Sequence, residues 1–140
     1  MKILGIITAR GGSKGISGKN LRKIAGVPMI QYTIDSAKNS KINKIVISTD
    51  DKKIAKFAES NDIEVPFLRP KSLATDTAKT FDVIKHTLEH MKNIEKYVPE
   101  IIVILQPTSP MRTSKMIDTS IELLKKSKAT SVVSVSEVKT

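Results

Sequence analysis

The sequence contains no cysteine among its 140 residues, so disulfide bonds and thiolate metal sites are excluded. Aromatic residues make up only 4% of the chain and form no stripe with basic residues, which argues against a surface that stacks on nucleic-acid bases. No apolar run approaches the roughly 20 residues that a membrane-spanning helix needs. The apolar stretch after Met1 and Lys2 is too short for a signal peptide. These absences fit a cytoplasmic protein that acts without a membrane.

The charge balance is strongly basic, with 24 lysine and arginine residues against 14 aspartate and glutamate residues and a formal net charge of +10. An excess of this kind favours anionic partners. Nucleic acid, an anionic membrane surface, and small phosphorylated or carboxylated substrates all meet that description. Much of the excess is lysine on the outer faces of predicted helices, which we interpret as solvated surface, and the low aromatic content weakens the nucleic-acid interpretation.

Short apolar runs alternate with segments of helical periodicity, and the length fits one domain over residues 1–140. The runs predict strands at 3–7, 45–47, 64–68, 101–105 and 131–138. The periodic residues predict inner helix faces at Ile30, Ile34 and Ala37, at Ile54, Phe57 and Ala58, at Phe81, Ile84, Leu88 and Met91, and at Ile117, Ile121 and Leu124. This alternation is typical of an α/β fold with a mainly parallel sheet covered on both faces. Because the chain stops directly after the last predicted strand, we expect the natural domain to be longer.

Three polar segments follow predicted strands, at 8–20, 49–51 and 106–112. Ligands of parallel α/β sheets bind beyond the carboxyl ends of the strands, so we expect these segments to form the binding site. The second segment also offers side chains that could cap the next helix, and Thr113 or Ser114 could cap the helix after the third.

The segment 8–20 combines glycine with positive charge. Glycines at positions 11, 12, 15 and 18 let backbone N–H groups approach an anion closely, while Arg10, Lys14 and Lys19 add three cations. Fixed dipoles together with neutralising charge suit a triphosphate. A basic surface loop without a ligand is the alternative interpretation of this segment alone.

The spacing of this segment matches neither of two common phosphate-binding motifs. If Gly18 and Lys19 are aligned with the end of the P-loop motif, Ser13 falls at its first glycine and Asn20 at its hydroxyl position. The dinucleotide motif fails because Ser13, and not glycine, stands two positions after Gly11. The segment therefore indicates a phosphate loop of another kind.

Five collinear motifs resemble the acylneuraminate cytidylyltransferases, the CMP-sialic acid synthetases, and specifically the N-terminal part of that family. The motifs cover essentially the whole chain and lie in the family's order at 6–15 with 19–20, at 26–30, at 68–70 with 73–78, at 105–112 and at 131–135. The resemblance implies a Rossmann-like three-layer sandwich of the nucleotide-diphospho-sugar transferase type. Its glycine loop differs from that of the related 3-deoxy-manno-octulosonate enzymes.

The resemblance also implies roles for individual residues. Residues expected to hold the triphosphate and stabilise the leaving pyrophosphate are Arg10 and Lys19. Residues expected to bind other parts of the nucleotide are Gly11, Gly12, Ser13, Lys14, Asn20, Arg69, Asp76 and Thr80, of which Asp76 could instead brace its loop. Residues expected on the sugar side are Gln106, Thr108 and Ser109. Arg112 could meet a sugar carboxylate or pair near the following helix.

The reaction that the resemblance implies joins CMP from CTP to the anomeric hydroxyl of an acidic nine-carbon sugar and releases pyrophosphate. It also implies Mg²⁺ as cofactor, with its ligands beyond Thr140, and a homodimer of the full-length protein. An enzyme of the same fold for another sugar acid is the first alternative. A basic nucleic-acid-binding domain is the second, and the collinear motifs argue against it.

His86 and His90 fit the spacing of one zinc motif, H-x-x-E-H. We do not predict a zinc site there, because the sequence offers no third ligand and the histidines fall on the predicted outer face of their helix. No serine in the polar loops has a histidine nearby, so a covalent hydrolase is not supported either.

Overall fold

The computed structural model describes residues 1–12, 19–133 and 135. The strands and helices over this part of the chain, in order, are β1 (Ile3–Thr8), β2 (Lys23–Ile24), β3 (Val27–Pro28), α1 (Met29–Lys38), β4 (Lys44–Ser48), α2 (Lys52–Ser60), α3 (Thr80–Asn93), β5 (Ile101–Leu105) and α4 (Ser114–Lys126). No helix among these residues has the length and apolar character needed to cross a membrane.

A parallel sheet with the order β4-β1-β5 forms the centre of the molecule. β1 pairs with β4 up to Thr8 opposite Ser48, and with β5 up to Ile7 opposite Leu105. All three strands therefore end at the same edge of the sheet. The predicted strands at 3–7, 45–47 and 101–105 are confirmed, and the continuous apolar runs reflect the burial of β1 on both faces.

Helices cover both faces of this sheet and produce three layers. On one face, α1, α2 and α4 bury apolar side chains against β1, β4 and β5, in a cluster that includes Ile7, Ile34, Ile54 and Ile117. On the other face, α3 packs Ile84 and Met91 against Leu4, Ile6 and Val46. The α/β fold with a mainly parallel sheet is thus confirmed.

Side-chain caps fix the starts of two helices where the sequence predicted them. Asp51 caps α2 by accepting hydrogen bonds from the backbone N–H groups of Lys53 and Ile54. Thr113 caps α4 by accepting from the N–H of Met116. Both caps follow the carboxyl end of a strand, so they fix where each helix leaves the sheet.

The strand expected at 64–68 is wrong. Only Glu64 pairs with β4, in a single parallel bridge to Val46, where its carbonyl accepts the N–H of Ile47 at 3.0 Å. The next bond of such a ladder would need an N–H at position 66, and Pro66 has none. From Val65 to Pro70 the chain has no regular secondary structure.

The inner face predicted for α3 is wrong in its first turn. Phe81 is 73% exposed, and the buried residues of the helix are Val83, Ile84, Thr87 and Met91. Thr87 is accommodated on this apolar face because its hydroxyl donates to the carbonyl of Val83 at 2.9 Å.

Of the strand expected at 131–138, residues 131–133 and 135 are not in a strand, and the others lie outside the described residues.

A small hairpin of β2 and β3 was not predicted from the sequence. Its two-residue turn places Ala25 at a φ of 52° and Gly26 at a φ of 82°. Such turns are usually signalled by Asn-Gly or Asp-Gly, and alanine in the left-handed region is uncommon. The sequence therefore gave little signal for the hairpin, which leads directly into α1.

Candidate active site

A cleft of about 350 Å³ lies where β1, β4 and β5 end. Its walls come from segments that are almost 100 positions apart in the sequence. The lining residues are Thr8, Arg10, Lys19, Asn20, Arg69, Leu73, Thr75, Asp76, Ala78, Thr80, Val83, Gln106, Pro107 and Thr108. The volume lies within the range of about 300–1,000 Å³ that is typical of small-molecule sites.

Most of the candidate residues meet in this cleft. Those that line it are Arg10, Lys19, Asn20, Arg69, Asp76, Thr80, Gln106 and Thr108. Gly11, Gly12 and Ser109 are described but do not line the cleft, and Ser13 and Lys14 lie outside the described residues. The geometry places these side chains together, whereas the role of each one stays a prediction.

Gly11 shows why the segment after β1 needs a residue without a side chain. Its N–H donates to Oδ1 of Asp50 at 2.8 Å, which holds the loop against the end of β4. A Cβ at position 11 would lie 2.5 Å from Oδ2 of Asp51, the residue that caps α2. Real Cβ atoms do not come so close, so any larger residue at position 11 would displace the loop or the cap.

Asn20 and Ser48 fix the backbone on either side of Arg10. The amide of Asn20, which is 8% exposed, donates to the carbonyl of Arg10 at 2.9 Å. The N–H of Ala9 donates to the carbonyl of Ser48 at 3.0 Å. Arg10 is therefore held by its main chain at the base of the cleft, and its side chain extends from a fixed position.

Arg69 is a buried cation, only 6% exposed, at the end of β4. Its guanidinium donates to the hydroxyl and the carbonyl of Ser48 at 3.0 and 2.7 Å and to the carbonyl of Leu73 at 3.2 Å. Burial lowers the pKa of Arg69, while the Asp50 carboxylate opposes that shift and the Arg10 charge adds to it. The side chain ties segment 69–80 to the sheet and lines the cleft at the same time.

Segment 74–79 closes one side of the cleft and contributes its acidic lining residue. Oδ1 of Asp76 contacts Nη1 of Arg10 at 2.5 Å. Both groups keep contact with solvent, since the Arg10 side chain is 28% exposed and the Asp76 side chain is 52% exposed. Thr80 follows as the first residue of α3, whose N-terminus has no side-chain cap among the described residues.

The turn after β5 forms the opposite wall. Gln106 and Thr108 are exposed in the cleft, and the N–H of Ser109 donates to the carbonyl of Gln106 at 3.1 Å, so Ser109 shapes this turn.

Arg112 is partly buried, which lowers its pKa, and within the described residues no carboxylate pairs with it. Its Nη1 is inaccessible and has no hydrogen-bond partner there. Of the two roles left open for Arg112, pairing near the following helix is not seen among the described residues.

Over the described residues, no group of three histidine, aspartate or glutamate side chains could hold a metal ion. His86 and His90 pack edge-on against the ring of Phe67, with centroid distances of 4.5 and 5.0 Å. Both histidines therefore pack on Phe67, whereas the sequence analysis placed them on the outer face of their helix.

Some lining residues were missed by sequence reasoning. Thr75 and Ala78 lie within a motif that carried the resemblance, but neither has a side chain whose type signals a site. Ser48 and Asp51 do not line the cleft, yet they hold Arg69 and shape the approach of Gly11. Ser48 is the last residue of β4 and gave no signal of this role, whereas Asp51 lies in the polar segment 49–51, which was expected at the ligand edge and also offered helix caps.

Comparison with known proteins gives a family match over nearly the whole chain. Residues 4–140 match the model of the family described as Cytidylyltransferase. The CMP-N,N'-diacetyllegionaminic acid synthase of Legionella pneumophila is 40% identical over 99% of this chain and 59% of its own length. The N-acylneuraminate cytidylyltransferase of Escherichia coli is 39% identical over 87% of this chain and 28% of its own length. The chain therefore spans between a quarter and three fifths of the length of these two relatives.

A solved structure of CMP:2-keto-3-deoxy-manno-octonic acid synthetase in complex with CTP has the same fold, with a TM-score of 0.74 and 24% identity. The similarity covers 92% of this chain and 49% of that one. A cytidylyltransferase structure from Leptospira borgpetersenii is similar, with a TM-score of 0.68 and 24% identity. These structures support the Rossmann-like fold, and the match over residues 4–140 shows that the chain belongs to the cytidylyltransferase family.

Proposed function

We propose that the full-length protein transfers CMP from CTP to the anomeric hydroxyl of an acidic nonulosonic sugar and releases pyrophosphate. The observation that carries this proposal is the composition of one cleft at the carboxyl ends of the strands. Arg10, Lys19 and Arg69 provide positive charge on one side, and Gln106 and Thr108 provide neutral polar groups on the other. Such a division suits a polyphosphate beside a hydroxyl-rich sugar.

In this proposal the oxygen of the sugar hydroxyl bonds to the α-phosphorus and its proton passes to solvent, while the bond between the α-phosphorus and the pyrophosphate oxygen breaks. Negative charge accumulates on the leaving pyrophosphate, and the side chains of Arg10 and Lys19 stabilise it. Fixed cations in a cleft need little reorganisation during the reaction, so positioning and electrostatics supply most of the rate enhancement. The backbone anchors at Asn20 and Ser48 support this role because they hold Arg10 in place.

The names of three curated relatives support one class of sugar as the substrate. The names of the relatives refer to N,N'-diacetyllegionaminic acid, N-acylneuraminate and, for a Campylobacter jejuni protein 37% identical to this chain, pseudaminic acid. All three are nine-carbon acidic sugars, which supports this substrate class over other sugar acids. Gln106, Thr108 and Ser109 lie at the turn that would receive the sugar.

Mg²⁺ stays a prediction from the family resemblance. The described residues offer no cluster of carboxylates to ligate it, so no step of this proposal is assigned to a metal. A homodimer of the full-length protein and a cytoplasmic location are likewise predictions that the cleft does not address.

The test is pyrophosphate release by the full-length protein with CTP, Mg²⁺ and a panel of neuraminic, legionaminic and pseudaminic acids. We expect release that requires both CTP and one of these acids. ATP, GTP and UTP serve as controls for the nucleotide. Release with another nucleotide would overturn the cytidine assignment, and a folded protein that releases pyrophosphate with no pair would overturn the proposed activity.

A further inference from the structure

The carboxylate of Asp76 occupies the position on Arg10 where the proposed function places a phosphate. Among the described lining residues of the cleft, Asp76 is the acidic one, against the cations Arg10, Lys19 and Arg69. A carboxylate repels a triphosphate, so its place in a phosphate site needs a different explanation from direct nucleotide binding. We propose that Asp76 is an internal counter-ion that a polyphosphate must displace from Arg10, and that this exchange releases segment 74–79 from the cleft wall. The inference rests on the proposed function.

The geometry of the pair favours exchange. Asp76 contacts one nitrogen of the guanidinium, Nη1, and both side chains remain in contact with water. Exposed ion pairs of this kind typically contribute about 0.2–1 kcal/mol because solvent and salt screen them. A pyrophosphate group carries several negative charges and accepts bidentate bonds from arginine, so it competes strongly for the same group.

The start and the middle of segment 69–80 are held very differently, and this difference determines which part can move. At its start, Arg69 is buried and bonded to Ser48, and its N–H also donates to the carbonyl of Thr49 at 2.7 Å. At its middle, the described tie to the rest of the site is the exposed contact between Asp76 and Arg10. Displacement of Asp76 would therefore free the middle of segment 74–79 from the cleft wall. Arg69 keeps the segment attached at one end, and the N–H groups of Asp82 and Val83, which donate to the carbonyl of Lys79 at 3.1 and 3.2 Å, keep it attached at the other.

Local structure within the segment is consistent with a unit that moves together. Thr75 and Thr77 hydroxyls lie 3.2 Å apart, and the N–H of Ala78 donates to the carbonyl of Thr75 at 3.2 Å. These contacts are internal to the turn, so they do not depend on its closure over the cleft. The turn can leave Arg10 without breaking its own hydrogen bonds.

The experiment measures the affinity of the full-length protein for inorganic pyrophosphate by calorimetry at about 0.15 M ionic strength. Asp76→Asn removes the charge that competes for Arg10, and we expect it to bind pyrophosphate about 1.5- to 5-fold more tightly than wild type. Asp76→Glu restores a carboxylate and should return the affinity toward wild type. Equal or weaker binding by Asp76→Asn would overturn the inference.

Asp82→Asn is the matched control, because Asp82 is an exposed carboxylate in the first turn of α3 and does not line the cleft. It makes the same change in net charge, so an equal gain in affinity in this variant would attribute the effect to overall charge and overturn the inference. A folded wild-type protein that binds neither pyrophosphate nor CTP would overturn the proposed function and the inference with it. Wild-type binding without the gain in Asp76→Asn would overturn the inference alone.

Proteolysis adds a readout for the released segment. If pyrophosphate displaces Asp76, limited proteolysis at Lys79 should become faster in the wild-type protein when pyrophosphate is added. In Asp76→Asn, cleavage at Lys79 should already be fast without it. Cleavage that pyrophosphate leaves unchanged or slows in the wild-type protein would show that segment 74–79 stays in place, and would overturn the release step.

Discussion

Arg69 and Arg10 line the same cleft, but their guanidinium groups have different surroundings. Arg69 is 6% exposed and donates three hydrogen bonds to fixed oxygens of Ser48 and Leu73. Arg10 keeps 28% of its side-chain surface exposed and contacts one partly exposed carboxylate, that of Asp76. The first arginine completes the fold, whereas the second, as far as the described residues show, has donors available for a ligand.

The difference teaches that a positive charge in a cleft is not by itself evidence for ligand binding. Arg69 sits where the family resemblance predicts a nucleotide contact, yet most of its donors already bind protein oxygens. Its contribution to a bound anion would come through its charge and its unused donors. We therefore expect replacement of Arg10 to lower mainly the activity, and replacement of Arg69 to lower mainly the stability.

The largest expected effect is on turnover when Arg10 is replaced by alanine. Loss of a well-placed group that stabilises transition-state charge typically costs about 2.7–4 kcal/mol, so turnover of the full-length Arg10→Ala variant should fall about 100- to 1,000-fold. Its free energy of unfolding should change by less than about 1 kcal/mol, because the lost pair is exposed. Pyrophosphate release and urea unfolding measure the two quantities.

Arg22→Ala is the matched control for that variant, since Arg22 is exposed and does not line the cleft. We expect near wild-type turnover from it. Normal turnover in Arg10→Ala would remove Arg10 from the proposed mechanism and would break the contrast with Arg69.

The next effect is on stability when Arg69 is replaced by alanine. The variant removes three hydrogen bonds, to the hydroxyl and the carbonyl of Ser48 and to the carbonyl of Leu73, although the Ser48 carbonyl keeps the N–H of Ala9 as a donor. Buried groups that lose a partner cost about 1–3 kcal/mol each. We expect the free energy of unfolding to fall by about 2–4 kcal/mol in total, measured by urea denaturation. Arg69→Lys should recover little of this loss, because an ammonium group cannot reach three oxygens in the directions of the guanidinium fork. An unfolding curve like that of wild type would show that Arg69 does not anchor the fold.

The smallest expected effect is on the pH dependence of the unfolding free energy, through His86, whose pKa is lowered by burial and, to a smaller degree, by the charge of Arg69. His86 packs on Phe67, and its Nδ1 is inaccessible and unpartnered over the described part of the chain. Burial lowers the pKa of His86, with further lowering from His90 and Arg69 and opposition from Glu89. The fold therefore disfavours the protonated imidazole, so its stabilising contribution is present above the unfolded pKa of about 6.5 and decreases as the pH falls below it.

We expect a smaller decrease in the unfolding free energy between pH 7.5 and about pH 5 for His86→Gln than for wild type, measured by urea denaturation at several pH values. Lys85→Gln, an exposed neighbour on α3, should keep the wild-type pH dependence. An identical slope in His86→Gln and wild type would show that this histidine is not disfavoured when protonated.

The strands, the helices and the location of the cleft could be predicted because they follow from simple patterns. The run 3–7 is apolar throughout because β1 is buried on both faces, whereas β5 leaves Ile102 and Ile104 exposed on one face. Polar segments after both strands mark the ligand edge. The failures were local. Pro66 ends a ladder that hydrophobicity alone extended, and Phe81 was assigned to an inner face that Val83 and Thr87 occupy instead.

The contacts inside the cleft could not be predicted, because they join residues that are far apart in the sequence. Arg69 reaches Ser48 across 21 positions, and Gly11 reaches Asp50 across 39. Asp76 resembled a nucleotide-segment residue, but its contact with Arg10 depends on how segment 74–79 folds back over the sheet. Sequence patterns report which residue types are present, whereas these pairings depend on three-dimensional closure.

The close approach of Gly11 to Asp51 makes the residue types that are allowed at these two positions depend on each other. A side chain at position 11 would overlap the carboxylate that caps α2, so each residue limits what evolution can place at the other. Because the added Cβ would also lie 2.6 Å from the Cβ of Asp51, an alanine at position 11 would fit this backbone only with glycine at position 51, and that exchange would remove the cap. Variation among natural homologues at these two positions should therefore be correlated, although 40 residues separate them in the chain.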